Sequence, residues 1–194
     1  GDTRLFDYPL GLSQLYEGWN GGDMISGGDL YLGEPREGNY QDLYLGNALT
    51  ACMNKNGSPL TTIEFECSDG PYCSLNDMRF HPAAIPHNTL MTVMQGAKMA
   101  NYYVFSGGEN TLLRRPPHDG DDRMAFTGQC HGYNAPVGPD GRHNDAFPLI
   151  ARMAKVLDGA GDFLADAFPA ADPVALGFVP DLFLTELCCP SSGA

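Results

Sequence analysis

Basic residues are scarce in this sequence: 11 Lys and Arg stand against 24 Asp and Glu, for a formal charge of −13 at pH 7. A surface of that sign repels a phosphate backbone or an anionic membrane, and no basic run interleaved with aromatics offsets it. Nucleic-acid binding therefore has no support. Long apolar runs are missing too. No window approaches the ~18 consecutive apolar residues of a membrane-spanning helix. Gly1, Asp2, Thr3 and Arg4 do not begin a charged-then-apolar leader. The expectation is a soluble chain, secreted or cytoplasmic.

Metal-binding spacings are also absent. Cys52, Cys67, Cys73, Cys130, Cys188 and Cys189 form no C-x-x-C pair, and His81, His87, His118, His131 and His143 form no H-x-x-x-H pair. The stretch Asp119, Gly120, Asp121, Asp122 lacks the closing Glu of an EF-hand and reads as a solvated acidic turn. Neither a metal nor an organic cofactor is expected. Cys67 and Cys73 flank a short loop, where a disulfide in an oxidising compartment competes with free, partly buried thiols.

What is present points to an ordered chain with shaped loops. Apolar residues make up 43% of it, which argues against disorder, while 24 Gly and 15 Pro argue against a helical bundle. Helical periodicity covers 41–54, with Leu45, Ala48, Leu49 and Cys52 on one face. It recurs over 87–100 through Leu90, Val93, Met94 and Ala97, and over 144–157 through Phe147, Ile150, Met153, Ala154 and Leu157. Asn144 is placed to cap the last of these, and Gly159 to follow its end. Strand-like runs cover 60–66 and 101–105, with a weaker one at 10–16 that ends at Glu17, Gly18 and Trp19.

Strand and helix thus alternate, the pattern of parallel βα units. Connections that follow helices are short, whereas those that follow strands, 67–86 and 106–143, are long. In (β/α)8 barrels the loops after the strands build the active site, and long structureless loops usually have a function. Residues 162–168 extend the last helix, 169–172 read as a linker, and 174–183 as a strand pair or the start of a β-rich segment.

Glu64 and Glu66 close the run 60–66 and, at period 2, point to one face. A carboxylate at the C-terminal end of a barrel strand meets substrate; the competing reading is a solvated pair on an edge strand. Three motifs then carry a resemblance. Pro59, Leu60, Thr61, Thr62, Ile63, Glu64, Phe65 and Glu66 precede Gly70. Next comes Asn101, Tyr102, Tyr103, Val104, Phe105, Ser106, Gly107, Gly108, Glu109 and Asn110. The third is Tyr133, Asn134, Ala135, Pro136, Val137, Gly138, Pro139, Asp140 and Gly141. In this order and spacing they resemble the family 35 glycoside hydrolases, of β-galactosidase type, across roughly 58–157. Ser106, Glu109 and Asn134 depart from the His, Thr and Asp usual in that family.

The resemblance implies the C-terminal portion of a (β/α)8 TIM barrel, about strands six to eight, over residues 1–168. A linker and the start of a β-rich segment would follow over 169–194. It implies a retaining exo-β-glycosidase, acting on a β-galactoside or related glycan, with Glu64 as the nucleophile and Glu66 as the alternate. Phe65, Trp19 and Tyr102 would shape the sugar subsite, and Asn110, with Glu109 beside it, would bind hydroxyls. For Trp19 and Tyr102 a core role competes, and for Asn110 a role in loop structure. The family's acid/base is a Glu preceded by Asn, a dipeptide absent from this sequence. Glu17 is a weak substitute. The resemblance therefore implies a second chain or an N-terminal portion that completes the barrel. The alternative is a non-catalytic carbohydrate-binding or scaffolding chain that kept the barrel frame.

Overall fold

A computed structural model describes residues 27–54, 58–68, 81–114, 129–168, 170 and 173–175. The chain begins there with strand β1 (Gly27–Leu30), helix α1 (Tyr40–Met53), strand β2 (Leu60–Glu66), helix α2 (Ala84–Met94) and strand β3 (Ala97–Tyr103). The three strands are parallel and lie in the order β1-β2-β3. Parallel neighbours need a crossover, and each helix supplies one. A two-stranded antiparallel unit follows, β4 (Gly108–Glu109) with β5 (Cys130–His131), and then α3 (Ala146–Gly159) and α4 (Gly161–Asp166). This is an α/β architecture. No helix of the described residues is long and apolar enough to cross a membrane.

The helices cover one face of the sheet. Leu30, Phe65 and Leu43 of α1 form one buried cluster, against which Leu32, Ala100 and Tyr102 pack. Cys67, Ile85, Ala146, Ile150 and Met153 form a second, against which Tyr102 and Leu157 pack. Tyr102 touches both clusters and so joins the two. On α3 the stripe Ala146, Ile150, Met153, Leu157 has the spacing expected of an amphipathic helix.

Several boundaries and faces differ from the expectations. The apolar periodicity predicts a second helix that reaches residue 100, but the helix ends at Met94 and β3 starts at Ala97. Gly96 makes the break: its φ of 96° lies in the left-handed region that ends helices, and its N–H reaches the carbonyl of Val93 at 2.9 Å. β1 is an element that the strand-like runs do not include; the weak strand at 10–16 lies outside the described residues. Asn144 caps no helix. Its Nδ2 donates to the carbonyls of Tyr133 (3.1 Å) and Ala135 (2.6 Å), tying the preceding loop, and Asp145 stands at the helix start. Gly159 belongs to the helix rather than following it.

The buried faces of α1 and α2 are more polar than apolar periodicity implies. Asn47, Thr50, Asn88, Thr89 and Thr92 are buried, while Leu90 and Met94 are exposed. Each inward polar group has a partner, which removes the penalty for burying it. Asn47 Nδ2 donates to Thr92 Oγ1 (3.2 Å) and Gln95 Oε1 (2.8 Å), and Thr50 Oγ1 donates to the Gly46 carbonyl at 2.9 Å. Asn88 Nδ2 donates to the Gly33 carbonyl at 2.9 Å, and Thr89 Oγ1 to that of Ile85 at 2.8 Å. Nearly all of 169–194 lies outside the described residues.

Candidate functional site

The side chains at the C-terminal ends of these strands are sorted by a β-bulge. From Gly28↔Thr62 the β1–β2 register steps to Asp29↔Glu64, so β2 carries one extra residue, Ile63. The β2–β3 register agrees: Thr62↔Ala100 is followed by Phe65↔Tyr102, three steps on β2 against two on β3. Strict alternation from Thr62 would set Glu64 on the helix-covered face. The extra residue reverses the alternation. Thr62 (3% exposed) and Phe65 (1%) therefore both pack under the helices, while Glu64 and Glu66 share the other face, the one Ile63 also occupies at 47% exposure. The Ile63 side chain lies over Gly27, where any Cβ would meet its Cγ1 at 2.5 Å, so the neighbouring strand needs glycine there.

On this face, which no described helix covers, the register sets Asp29 beside Glu64 and Tyr103 beside Glu66. Tyr31, two residues beyond Asp29, donates its phenol to Glu64 Oε2 at 2.6 Å. Its pKa is pushed well above the usual tyrosine range, first by burial and then by the hydrogen bond to Glu64 and the charge of Glu64, with Asp29 and Tyr103 adding. Glu66 is engaged differently, since its Oε2 accepts from the backbone N–H of Gly33. Of the two glutamates, Glu66 fastens the loop after β1, and Glu64 is oriented by a neutral hydroxyl donor. The face as a whole combines three carboxylates with two phenols, a set suited to hydroxyl-rich, uncharged ligands.

The other expected site residues fall elsewhere. Phe65 lies in the core, edge-on to Tyr102 at 5.6 Å and 84°. Tyr102 also faces the helices, sharing a 2.7 Å hydrogen bond with Thr89 Oγ1, and burial pushes its phenol up to about 12. Neither residue shares a face with Glu64, because the bulge assigns them to opposite sides of the sheet. Asn110 follows β4 and is partly exposed; its N–H donates to the Gln129 carbonyl at 2.8 Å, so its backbone helps close the β4–β5 unit. Trp19, Glu17, Gly70 and Cys73 lie outside the described residues. Cys67 is a free, fully buried thiol whose pKa is pushed up to about 12, by burial first and by the charge of Glu66 second.

Sequence reasoning missed Asp29, Tyr31 and Tyr103 as one group with Glu64. The available signal was the alternation Asp29, Leu30, Tyr31, Leu32 after a glycine pair, polar and aromatic residues on one face and leucines on the other. His131 was missed as well. It stands edge-on to Tyr103 at 5.8 Å and 69°, and its Nε2 is buried without a hydrogen-bond partner among the described residues. Among the described residues no group of three or more His, Cys, Asp or Glu is arranged to hold a metal ion. No protein-family model matches this chain, and no curated protein matches it.

Proposed function

We propose that this chain is the nucleophile-bearing part of a retaining exo-β-glycosidase acting on β-galactosides or a closely related glycan. The observation that carries the reading is Glu64. It sits at the C-terminal end of a parallel strand, turned by a bulge onto the uncovered face and held by Tyr31 at 2.6 Å. Three consecutive parallel strands in sequential order, with the described helices packed on one side, are what a sector of a (β/α)8 barrel presents. The uncovered face is then the barrel interior, and the loops after the strands form the substrate end.

In this mechanism a Glu64 carboxylate oxygen forms a bond to the anomeric carbon as the bond to the leaving oxygen breaks. A carboxylic acid about 5 Å away gives that oxygen its proton. Water, deprotonated by the same residue, then releases the sugar with retained configuration. The acid/base comes from the portion that completes the barrel, a second chain or an N-terminal part. The Tyr31 hydroxyl donates to the carboxylate while it is charged, and so fixes the oxygen that attacks. Glu66, engaged by the Gly33 N–H, is the less favoured nucleophile. Trp19 and Asn110 remain in the reading as sugar contacts; Phe65 and Tyr102 leave it for the core. Residues 1–168 would belong to the barrel and 169–194 to a linker and β-rich segment.

The test is intact mass after exposure to a 2-deoxy-2-fluoro-galactoside with an activated leaving group, which needs the nucleophile and hardly needs the acid. One glycosyl adduct mapped to Glu64 is expected. An adduct on Glu66 would exchange the two roles, and no adduct in folded protein with its barrel partner present would overturn the reading. The second reading, a carbohydrate-binding chain without turnover, draws on Ser106, Glu109 and Asn134. It predicts that Glu64→Gln alters sugar binding with no turnover to lose.

A further inference from the structure

We infer that Asn101 is a positioning residue for Glu64, acting through the carbonyl of the bulge residue Ile63. The inference takes Glu64 as the nucleophile from the reading above. A bulge sets two residues of one strand against one of its neighbour and leaves the extra residue without its ladder bonds. Here Thr62↔Ala100 and Phe65↔Tyr102 bracket the irregularity, so Asn101 alone stands opposite Ile63 and Glu64. Its side chain supplies a bond there: Asn101 Nδ2 donates to the Ile63 carbonyl oxygen at 2.8 Å. Asparagine is a poor strand former. Its place in the middle of β3, exposed and between Ala100 and Tyr102, is accounted for by this one contact.

The consequence reaches Glu64 through the backbone. Pinning the Ile63 carbonyl fixes which residue of β2 is the extra one. A bulge displaced toward the C-terminal end of β2 would change the face of Glu64, because strand side chains alternate with period 2. Smaller slackening would still move the carboxylate against Tyr31 Oη and the sugar carbon. Misplacement by about 1 Å costs on the order of 100-fold in rate. Asn101 touches neither substrate nor the Glu64 carboxylate; it sets where Glu64 points.

The experiment uses the full protein and the variants Asn101→Leu, Asn101→Ala and Asn101→Gln, each labelled with 13C at tyrosine Cζ. Two quantities are followed: the rate of labelling by the 2-fluoro-galactoside, and the pH titration of the Tyr31 resonance, assigned with Tyr31→Phe. The side chain is exposed, so the variants are expected to fold. The Leu and Ala variants should label roughly 10- to 100-fold more slowly. In them Tyr31 should ionise nearer the ordinary tyrosine value of about 10, since its carboxylate partner has moved. The Gln variant, which keeps the amide, should recover part of both. Unchanged labelling together with an unchanged Tyr31 titration in the Leu and Ala variants overturns the inference and leaves the nucleophile reading intact. If wild-type protein takes no label while the Tyr31 titration still shifts, the nucleophile reading falls and the control of Glu64 by Asn101 stands.

Discussion

Tyr31 holds the residue on which the proposed chemistry turns. A hydrogen bond to a charged acceptor contributes roughly 1.5–3 kcal/mol, so Tyr31→Phe should slow fluorosugar labelling by about 10- to 100-fold at neutral pH. The native fold should survive, as tested by circular dichroism and labelling kinetics on the same sample. Cys67 makes a second prediction, this time in stability. The folded protein keeps the Cys67 proton up to about pH 12, whereas an unfolded chain loses it near ~8.5. The native state therefore binds more protons over that range, and stability falls as pH rises. The contribution is present in full below about pH 8.5 and lost progressively toward 12. Tyr31 and Tyr102, both raised by burial first, deepen the loss above about pH 10. Urea midpoints at pH 7.5, 9 and 10 should decline in wild type, and Cys67→Val should flatten that decline.

At the scale of elements, the strand end and the helix seam are built by different means. β2 carries its carboxylates outward through one extra residue, while keeping Thr62 and Phe65 under the helices. The α1–α2 seam is held by Asn47, Thr92 and Gln95 rather than by leucines. Asn47 is 3% exposed, and removing it leaves buried polar partners unmatched. Asn47→Ala should cost about 1–3 kcal/mol. In urea the midpoint should fall with an unchanged slope; a change below the error of the fit would mean that the seam relaxes around the gap. The ion pair Arg142–Asp140 at 3.1 Å, in the loop before α3, is solvent-exposed and of a type that contributes little.

For the whole molecule, the sheet has two unlike faces. Parallel sheets are almost always covered on both sides. Among the described residues one side is packed by helices, while Ile63 and Met99 stand 47% and 51% exposed on the other. Under the proposed barrel reading, the rest of the barrel would be the second cover of the sheet. The prediction is a stable complex, by native mass spectrometry, between this chain and the portion that supplies the remaining strands. A mass equal to that of the lone chain in a sample that is labelled at Glu64 would count against completion in trans. The net charge of −13 disfavours anionic ligands and sets no geometry by itself.

The sequence alone determined the alternation of strand and helix, the span of β2 to the residue, and that Glu64 and Glu66 share a face. These are local properties: period 2, propensity and turn residues act over a few neighbours. It also placed α3 close to its true extent, because Ile150, Met153 and Leu157 repeat at helical spacing on a face that does meet the core. Only the tertiary structure decided which face of β2 is which. That choice depends on an extra residue visible solely through pairing with β1 and β3. Likewise the buried stripes of α1 and α2 were hidden, since Asn47, Asn88, Thr89 and Thr92 become acceptable inside only when their distant partners are in place. Tyr31 and Asn101 belong to the same class. Each does its work on a residue more than thirty positions away, across a strand gap that no local pattern records.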